Sequence, residues 1–143
     1  MFRMRPAPSA LCALLATVVL AASPAAAGAK TLVAYEESGG IAAMQTSISV
    51  TELGVARVTS SRVPGITRFM LTGSELRALG RDLRNARFST LRSIYDSKEP
   101  IADGISQTVR YTGKRVTVAT GGRPPARLRK VLTRLQRLAS RVE

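Results

Sequence analysis

Five acidic side chains, Glu36, Glu37, Asp96, Glu99 and Asp103, stand near expected turns and are the first candidates for chemistry. A pair of carboxylates runs acid–base catalysis when its surroundings split the two pKa values. Here each acid stands among many arginines, so we read them as solvated loop acids or local ion pairs. An enzyme using Asp96 and Asp103 is the remaining catalytic option. The chain has no histidine, and Cys12 is its one cysteine. That excludes a Ser-His-Asp triad, a Cys-His pair and an ordinary zinc site. The expectation is a protein that is not an enzyme, with no metal site and no cofactor.

The glycine clusters offer no phosphate chemistry. Ser38-Gly39-Gly40 and the segment 121–125 (GGRPP) lack the spacing and strand-to-helix setting of a phosphate loop. Positive charge is the more conspicuous feature. The chain holds 22 lysines and arginines against nine acids, a balance that steers anionic partners towards it and that salt screens. Near the C-terminus Lys130, Arg134, Arg137 and Arg141 cluster on one helical flank, a candidate basic surface for an anionic polymer or membrane. Nucleic acid is not the expected partner. Binding along a strand pairs charge with aromatic platforms, and Tyr35, Phe69, Phe88, Tyr95 and Tyr111 mostly fall on apolar faces.

The chain's beginning bears on where it works. Residues 1–27 read as a cleavable signal peptide: Arg3 and Arg5 without an acid, an apolar run of twelve residues (11–22), then Ser-Pro-Ala-Ala-Ala with small Ala25 and Ala27. The apolar run is shorter than the roughly 20 residues of a membrane span. Cleavage after Ala27 is expected, and a site after Ala29 fits nearly as well. What remains, residues 28–143, is one small domain without cysteine and without a transmembrane segment. Losing Arg3 and Arg5 leaves 20 basic residues against nine acids, a net charge of +11. A secreted, periplasmic or cell-envelope location follows.

These features need a scaffold, and period supplies it. Residues 31–36 (TLVAYE) read as a first strand, broken by the Ser38-Gly39-Gly40 turn. Along 44–51 Met44, Thr46, Ile48 and Val50 alternate with polar residues, the period of a half-buried strand. Leu53-Gly54 turns the chain into a β-branched third strand at 55–62, and 66–71 suits a short fourth. Then the period changes. Thr72 and Glu75 are spaced as a capping box, followed by Leu76, Leu79, Leu83 and Ala86 on one helical stripe. Phe88, Leu91, Ile94 and Tyr95 continue the core through an irregular stretch, and 97–104 is a loop.

Two alternating runs, 105–111 and 114–120, flank Thr112-Gly113, a two-residue hairpin turn. After Pro125, residues Leu128, Val131, Leu132, Leu135, Leu138, Ala139 and Val142 form one apolar helical sector. That sector covers about a third of the circumference, as suits packing on a sheet. The expected fold is α+β: a mainly antiparallel sheet of about five to six strands, with two helices packed on one face.

The segment Tyr35-Glu36-Glu37-Ser38-Gly39-Gly40-Ile41-Ala42 resembles the opening of the emfourin family, inhibitors of thermolysin-like metallopeptidases whose namesake target is protealysin. Downstream features run in the same order: Leu71-Thr72 before Glu75-Leu76, then Ala86-Arg87-Phe88 with Leu91. Asp103-Gly104, the Val109-x-Tyr111-x-Gly113 hairpin, and Pro125 before Leu128 and Leu132 follow. The resemblance runs from about Leu32 to Leu138. It departs at Ala43, where the family often has glycine, in the chain's basicity, and in the export signal, which the similar short proteins lack.

The resemblance implies a non-catalytic binding protein that blocks a zinc metallopeptidase, with Ser38, Gly39, Gly40 and Ile41 as the inhibitory-contact candidates; the signal peptide adds that it is secreted. Thermolysin-like sites favour a bulky apolar residue beside the scissile bond, which Ile41 would supply. Two readings of Ile41 stand at this level: a contact on a tight turn, or a core residue beside a plain glycine hairpin. The function class that competes with inhibition is a cell-envelope binding module whose basic surface holds an anionic polymer or membrane.

Overall fold

The computed structural model describes residues 28–99 and 101–142; the expected signal peptide at 1–27 lies outside the described residues. Seven strands and two helices follow in the order β1 (Thr31–Gly39), β2 (Met44–Thr51), β3 (Val55–Ser60), β4 (Ile66–Met70), α1 (Gly73–Asn85), β5 (Ile94–Tyr95), β6 (Ile105–Tyr111), β7 (Lys114–Ala119) and α2 (Ala126–Ala139). They make one α+β unit with a single mixed sheet, ordered β4-β3-β2-β1-β6-β7-β5. Every neighbouring pair is antiparallel except β5 with β7, which is parallel.

Alternation decides which face is covered. Val33 and Tyr35 on β1, Ile48 and Val50 on β2, Ala56 and Val58 on β3, Val109 on β6, and Val116 and Val118 on β7 are all buried. Their period of two sends the intervening residues to the opposite, open face. Leu79 and Leu83 of α1 join the same core, as do Leu128, Val131, Leu132, Leu135 and Leu138 of α2. Both helices thus lie on one side of the sheet. Each fully buried leucine or valine contributes about 1.5–3 kcal/mol. These stripes form the core of a domain that no disulfide can staple, because residues 28–143 hold no cysteine.

Local signals place the helix ends. Thr72 Oγ1 accepts from the Glu75 backbone N–H at 3.2 Å, and Glu75 Oε2 accepts from the Thr72 N–H at 2.8 Å, completing the capping box. Pro125 sits at the N-cap of α2, extended at ψ 152, where its missing N–H is no loss. Between β6 and β7, Thr112 and Gly113 take φ values of 48° and 78°, the two left-handed residues of a type I′ turn.

The structure corrects the expectation in three places. The sheet has seven strands against the five to six expected, and it is mainly antiparallel, as expected, with one parallel pair. The stretch at 88–95 is ordered: Phe88–Thr90 forms a short 3-10 turn, then β5 pairs Ile94 with Thr117 and Tyr95 with Val118. Phe88 stacks against Tyr111 with ring centroids 5.2 Å apart, which ties this stretch to the sheet. A two-residue strand has no period to read, and its parallel pairing depends on a distant partner. Third, β1 continues through Ser38 and Gly39, which pair with Gln45 and Met44 on one side and with Ser106 and Ile105 on the other. The turn occupies residues 40–43.

Gly39 is where β1 must be bare. Its φ is +123°, and a β-carbon there would collide with the Gly104 carbonyl oxygen. Gly40 is also left-handed, at +79°, but a β-carbon there meets open space. Gly40→Ala is expected to cost about 1 kcal/mol, the strain of a left-handed alanine. Gly39→Ala should cost roughly 2–4 kcal/mol, because β6 must also shift. Urea denaturation of the two variants checks this; equal costs would show that β1 and β6 separate there freely.

Candidate functional site

The end of the β1–β2 hairpin is built from backbone constraint. The Ala43 N–H donates to the Gly40 carbonyl at 3.0 Å, closing residues 40–43 into a β-turn. Ala43 takes φ 47°, the left-handed region, which explains why glycine would also suit this position. On both sides the turn is held by paired strands, Gly39 facing Met44 and Ile105. Ser38 and Gly39 therefore position the turn from within β1, while Gly40 and Ile41 form it.

Ile41 projects from this turn with 92% of its surface exposed. It is not a core residue, so the plain-hairpin reading of Ile41 as packing fails. Gly40 lies against Gly104, its N–H pointing at that carbonyl at 3.4 Å. Ile101 of the neighbouring loop and Ile105, the first residue of β6, bring two further exposed isoleucines to the same end of the sheet. A shallow depression of about 170 Å³ beside them is lined by Asp96, Ser97, Ile101, Gly104, Ile105 and Thr120, among others. The end thus shows apolar side chains on a rigid backbone, a surface that gains by being covered.

The carboxylates do not assemble into a catalytic pair. Glu36 accepts from Gln45 Nε2 at 2.8 Å on the open face. Glu37, one residue on and hence on the helix side, accepts from the Tyr35 hydroxyl at 2.5 Å and from Gln107 Nε2 at 3.0 Å. Burial and the Glu37 carboxylate push the Tyr35 phenol far above its ordinary pKa. Asp96 Oδ1 takes the Ser97 N–H at 2.8 Å, a local turn bond. Asp103 is a left-handed turn residue at φ 56°. Among the described residues no group of three or more His, Cys, Asp or Glu side chains could hold a metal ion. Nor is any helix among them long and apolar enough to cross a membrane.

The flank of α2 is an interhelix seam whose cations stay partly in water: Lys130 remains 67% exposed and Arg141 44%. Asp82 on α1 is 5% exposed, the one buried charged side chain among the described residues. Lys130 Nζ lies 3.0 Å from one of its oxygens, and Arg134 Nε donates to the other at 2.7 Å. Arg141 bonds Glu75, which already serves the α1 cap, and its guanidinium lies 5.6 Å from the Phe69 ring centroid. Of the four flank cations only Arg137 pairs with no carboxylate among the described residues. Asp82 escapes a sequence reading because it precedes Leu83 on the helix and looks like a solvated charge. The signal that finds it is the i, i+4 spacing of Lys130 and Arg134, which aims two cations at one point.

Burial raises the Asp82 pKa, but hydrogen bonds from Arg134 and Lys130 outweigh it and hold the carboxyl below its ordinary value. The Arg141 guanidinium, with the Thr72 N–H, lowers Glu75 to about 2. Both folded pKa values lie below the unfolded ones, near 3.9 for Asp and 4.3 for Glu. The stability they supply is present above those unfolded values and is lost as pH falls through the folded ones. Unfolding free energy should therefore drop between about pH 5 and pH 2. Asp82→Asn should cost about 1–3 kcal/mol at pH 7 and flatten the acid drop. Urea titrations at pH 7 and pH 3 check both; an unchanged acid profile in the variant would remove Asp82 from the seam.

No protein-family model matches the chain and no curated protein matches it either, so the functional reading rests on the hairpin turn and its surroundings.

Proposed function

We propose that this protein is a non-catalytic inhibitor of a thermolysin-like zinc metallopeptidase, as its resemblance to the emfourin family implies, exported by the signal peptide read at residues 1–27. The observation that carries the reading is Ile41, 92% exposed on a closed turn between paired strands. A large aliphatic side chain in water is an unfavourable surface, and burying it in a partner's pocket contributes about 1.5–3 kcal/mol. The gain survives binding because the turn is already formed. A preorganised backbone surrenders little conformational freedom on docking, where a floppy loop would lose much of the benefit.

In this reading the roles divide by position. Ile41 enters the apolar pocket beside the zinc centre, where a substrate side chain would sit. Gly40 lets the backbone approach closely, and Ser38 with Gly39 fix the angle of the turn from within β1. Ile101 and Ile105 cover the rim beside it. The inhibitor needs no metal ligand, since it occupies the cleft instead of coordinating the ion. The excess of basic residues favours a second reading, a cell-envelope module for anionic polymer or membrane. The pairing of Lys130, Arg134 and Arg141 with two acids of α1 lowers the net charge that the α2 flank offers to that reading.

Purified protein is expected to abolish the activity of a thermolysin-like peptidase stoichiometrically. Ile41→Asp should weaken inhibition by on the order of 100-fold, the loss of a central apolar anchor plus a buried charge. Its circular dichroism and melting temperature should match the parent, because Ile41 contributes nothing to the core. Failure of the parent to inhibit any member of a peptidase panel at micromolar concentration would overturn the proposal.

A further inference from the structure

The sheet face opposite the helices carries a charge pattern that the fold does not require. Strand register lines up one row across six strands: Arg115, Arg110, Ala34, Ser49, Arg57 and Arg68. Within it Arg110 faces Arg115 directly, and Arg57 faces Arg68. Like charges opposed across strands are destabilising, and this row repeats the conflict twice. Among the described residues none of the four guanidiniums pairs with a carboxylate. Glu36, the carboxylate nearest by register, is engaged by Gln45. A local conflict of this kind, kept in an otherwise consistent fold, marks a surface selected for something besides stability.

The space between the two arginine pairs is shaped. Small Ala34 and Ser49 separate Arg110 from Arg57, three strands apart and so roughly 14 Å by strand spacing. They floor a shallow trough of about 440 Å³, walled by Arg57 and Arg110. Beside the arginines runs a row of two hydroxyl pairs, Thr108 with Thr117 3.1 Å apart and Ser47 with Thr59 2.6 Å apart, on either side of Glu36, which Gln45 engages. All four cations of the row are arginine. Their planar forks grip carboxylates through two parallel hydrogen bonds, which the point charge of lysine cannot do.

We propose that this open face binds a linear acidic polysaccharide, with Arg57/Arg68 and Arg110/Arg115 holding its carboxylates and the Ser/Thr row bonding its hydroxyls. The row reaches roughly 24 Å from β7 to β4, five strand steps, so an extended chain fits where a small anion would satisfy only one pair. Nucleic acid suits the face poorly, because Tyr35, Phe69, Phe88, Tyr95 and Tyr111 all pack on the core side and leave no ring for a base. A bilayer suits it poorly too: its exposed aliphatics, Ile66, Met70 and Ile94, stand only on the edge strands. This inference does not rest on peptidase inhibition and involves other residues.

Binding of the purified protein to immobilised alginate, a linear carboxylated polysaccharide, tests it, with dextran as the uncharged control. The parent should bind alginate and not dextran, and rising salt should weaken the binding. Arg57→Gln/Arg110→Gln should bind roughly tenfold or more weakly, as should Arg68→Gln/Arg115→Gln. Arg137→Gln, on the helix side, should bind as the parent does. At low salt the double variants should melt at the same temperature as the parent or higher, since each relieves two like-charge pairs. They should also inhibit a thermolysin-like peptidase as the parent does, while Ile41→Asp keeps its alginate binding. Parent-like alginate binding by both double variants would overturn the proposal, as would a lowered melting temperature in both. So would tighter binding of the parent to oligodeoxythymidylate or phosphatidylglycerol vesicles than to alginate.

Discussion

A carboxylate buried between two helices must either take up a proton or be held by cations, and at Asp82 cations hold it. Lys130 and Arg134 approach its two oxygens separately, from successive turns of α2. That geometry fixes the axial register of α2 against α1, because sliding either helix by one residue would strand a charge out of water. Apolar packing alone is permissive: leucine stripes tolerate small shifts at modest cost. The ion pairs convert a greasy contact into a specific one. Arg141 and Glu75 repeat the device at the start of α1, where the same carboxylate also closes the helix cap.

Once the helices are fixed on one face, the distribution of the remaining charge follows. Cations on α2 have acids to meet because α1 supplies Asp82 and Glu75 within reach. The open face has no second layer to supply any. Its arginines lie across from one another instead, and the sole carboxylate in the neighbouring row is turned to an amide. The chain's excess of positive charge is therefore not spread evenly. On the helix side Lys130, Arg134 and Arg141 meet acids, whereas among the described residues none of the four arginines in the open-face row does. Net charge alone cannot separate these cases, since both sides contribute equally to the sum.

Much of the scaffold was legible in the residues, and the reason differs by element. Strands β2, β6 and β7 announce themselves because one face is dry, so alternation is enforced at every second position. The α1 cap was legible because Thr72 and Glu75 satisfy each other locally, without help from elsewhere. What escaped depended on partners far along the chain. The two residues of β5 become a strand only because β7 offers a free edge. Gly39 looks like punctuation, yet it is a strand residue made bare by the approach of Gly104, just before β6. Asp82 and the Arg rows escaped for the same cause: register across strands and helices decides which charges meet. For Ile41 the residues leave two readings open, and its exposure removes the one that places it in the core.

The two proposed surfaces are separate in a way that bears on how they would act together. Both begin on β1. Ala34 lies in the arginine row, and Ser38, on the same face, lies four residues nearer the turn, roughly 13 Å along the strand. Ile41 stands beyond that, past the end of the sheet. A polymer lying across the strands at Ala34 would thus run perpendicular to the hairpin and leave its tip clear. Such an arrangement holds the protein against an acidic matrix while the turn faces outward. A peptidase diffusing near that matrix would meet inhibitor at a raised local concentration, with no new contact in the cleft itself. The rigidity of β1 is what makes this possible, because one continuous strand, pinned by β2 and β6, sets both the floor of the trough and the angle of the turn.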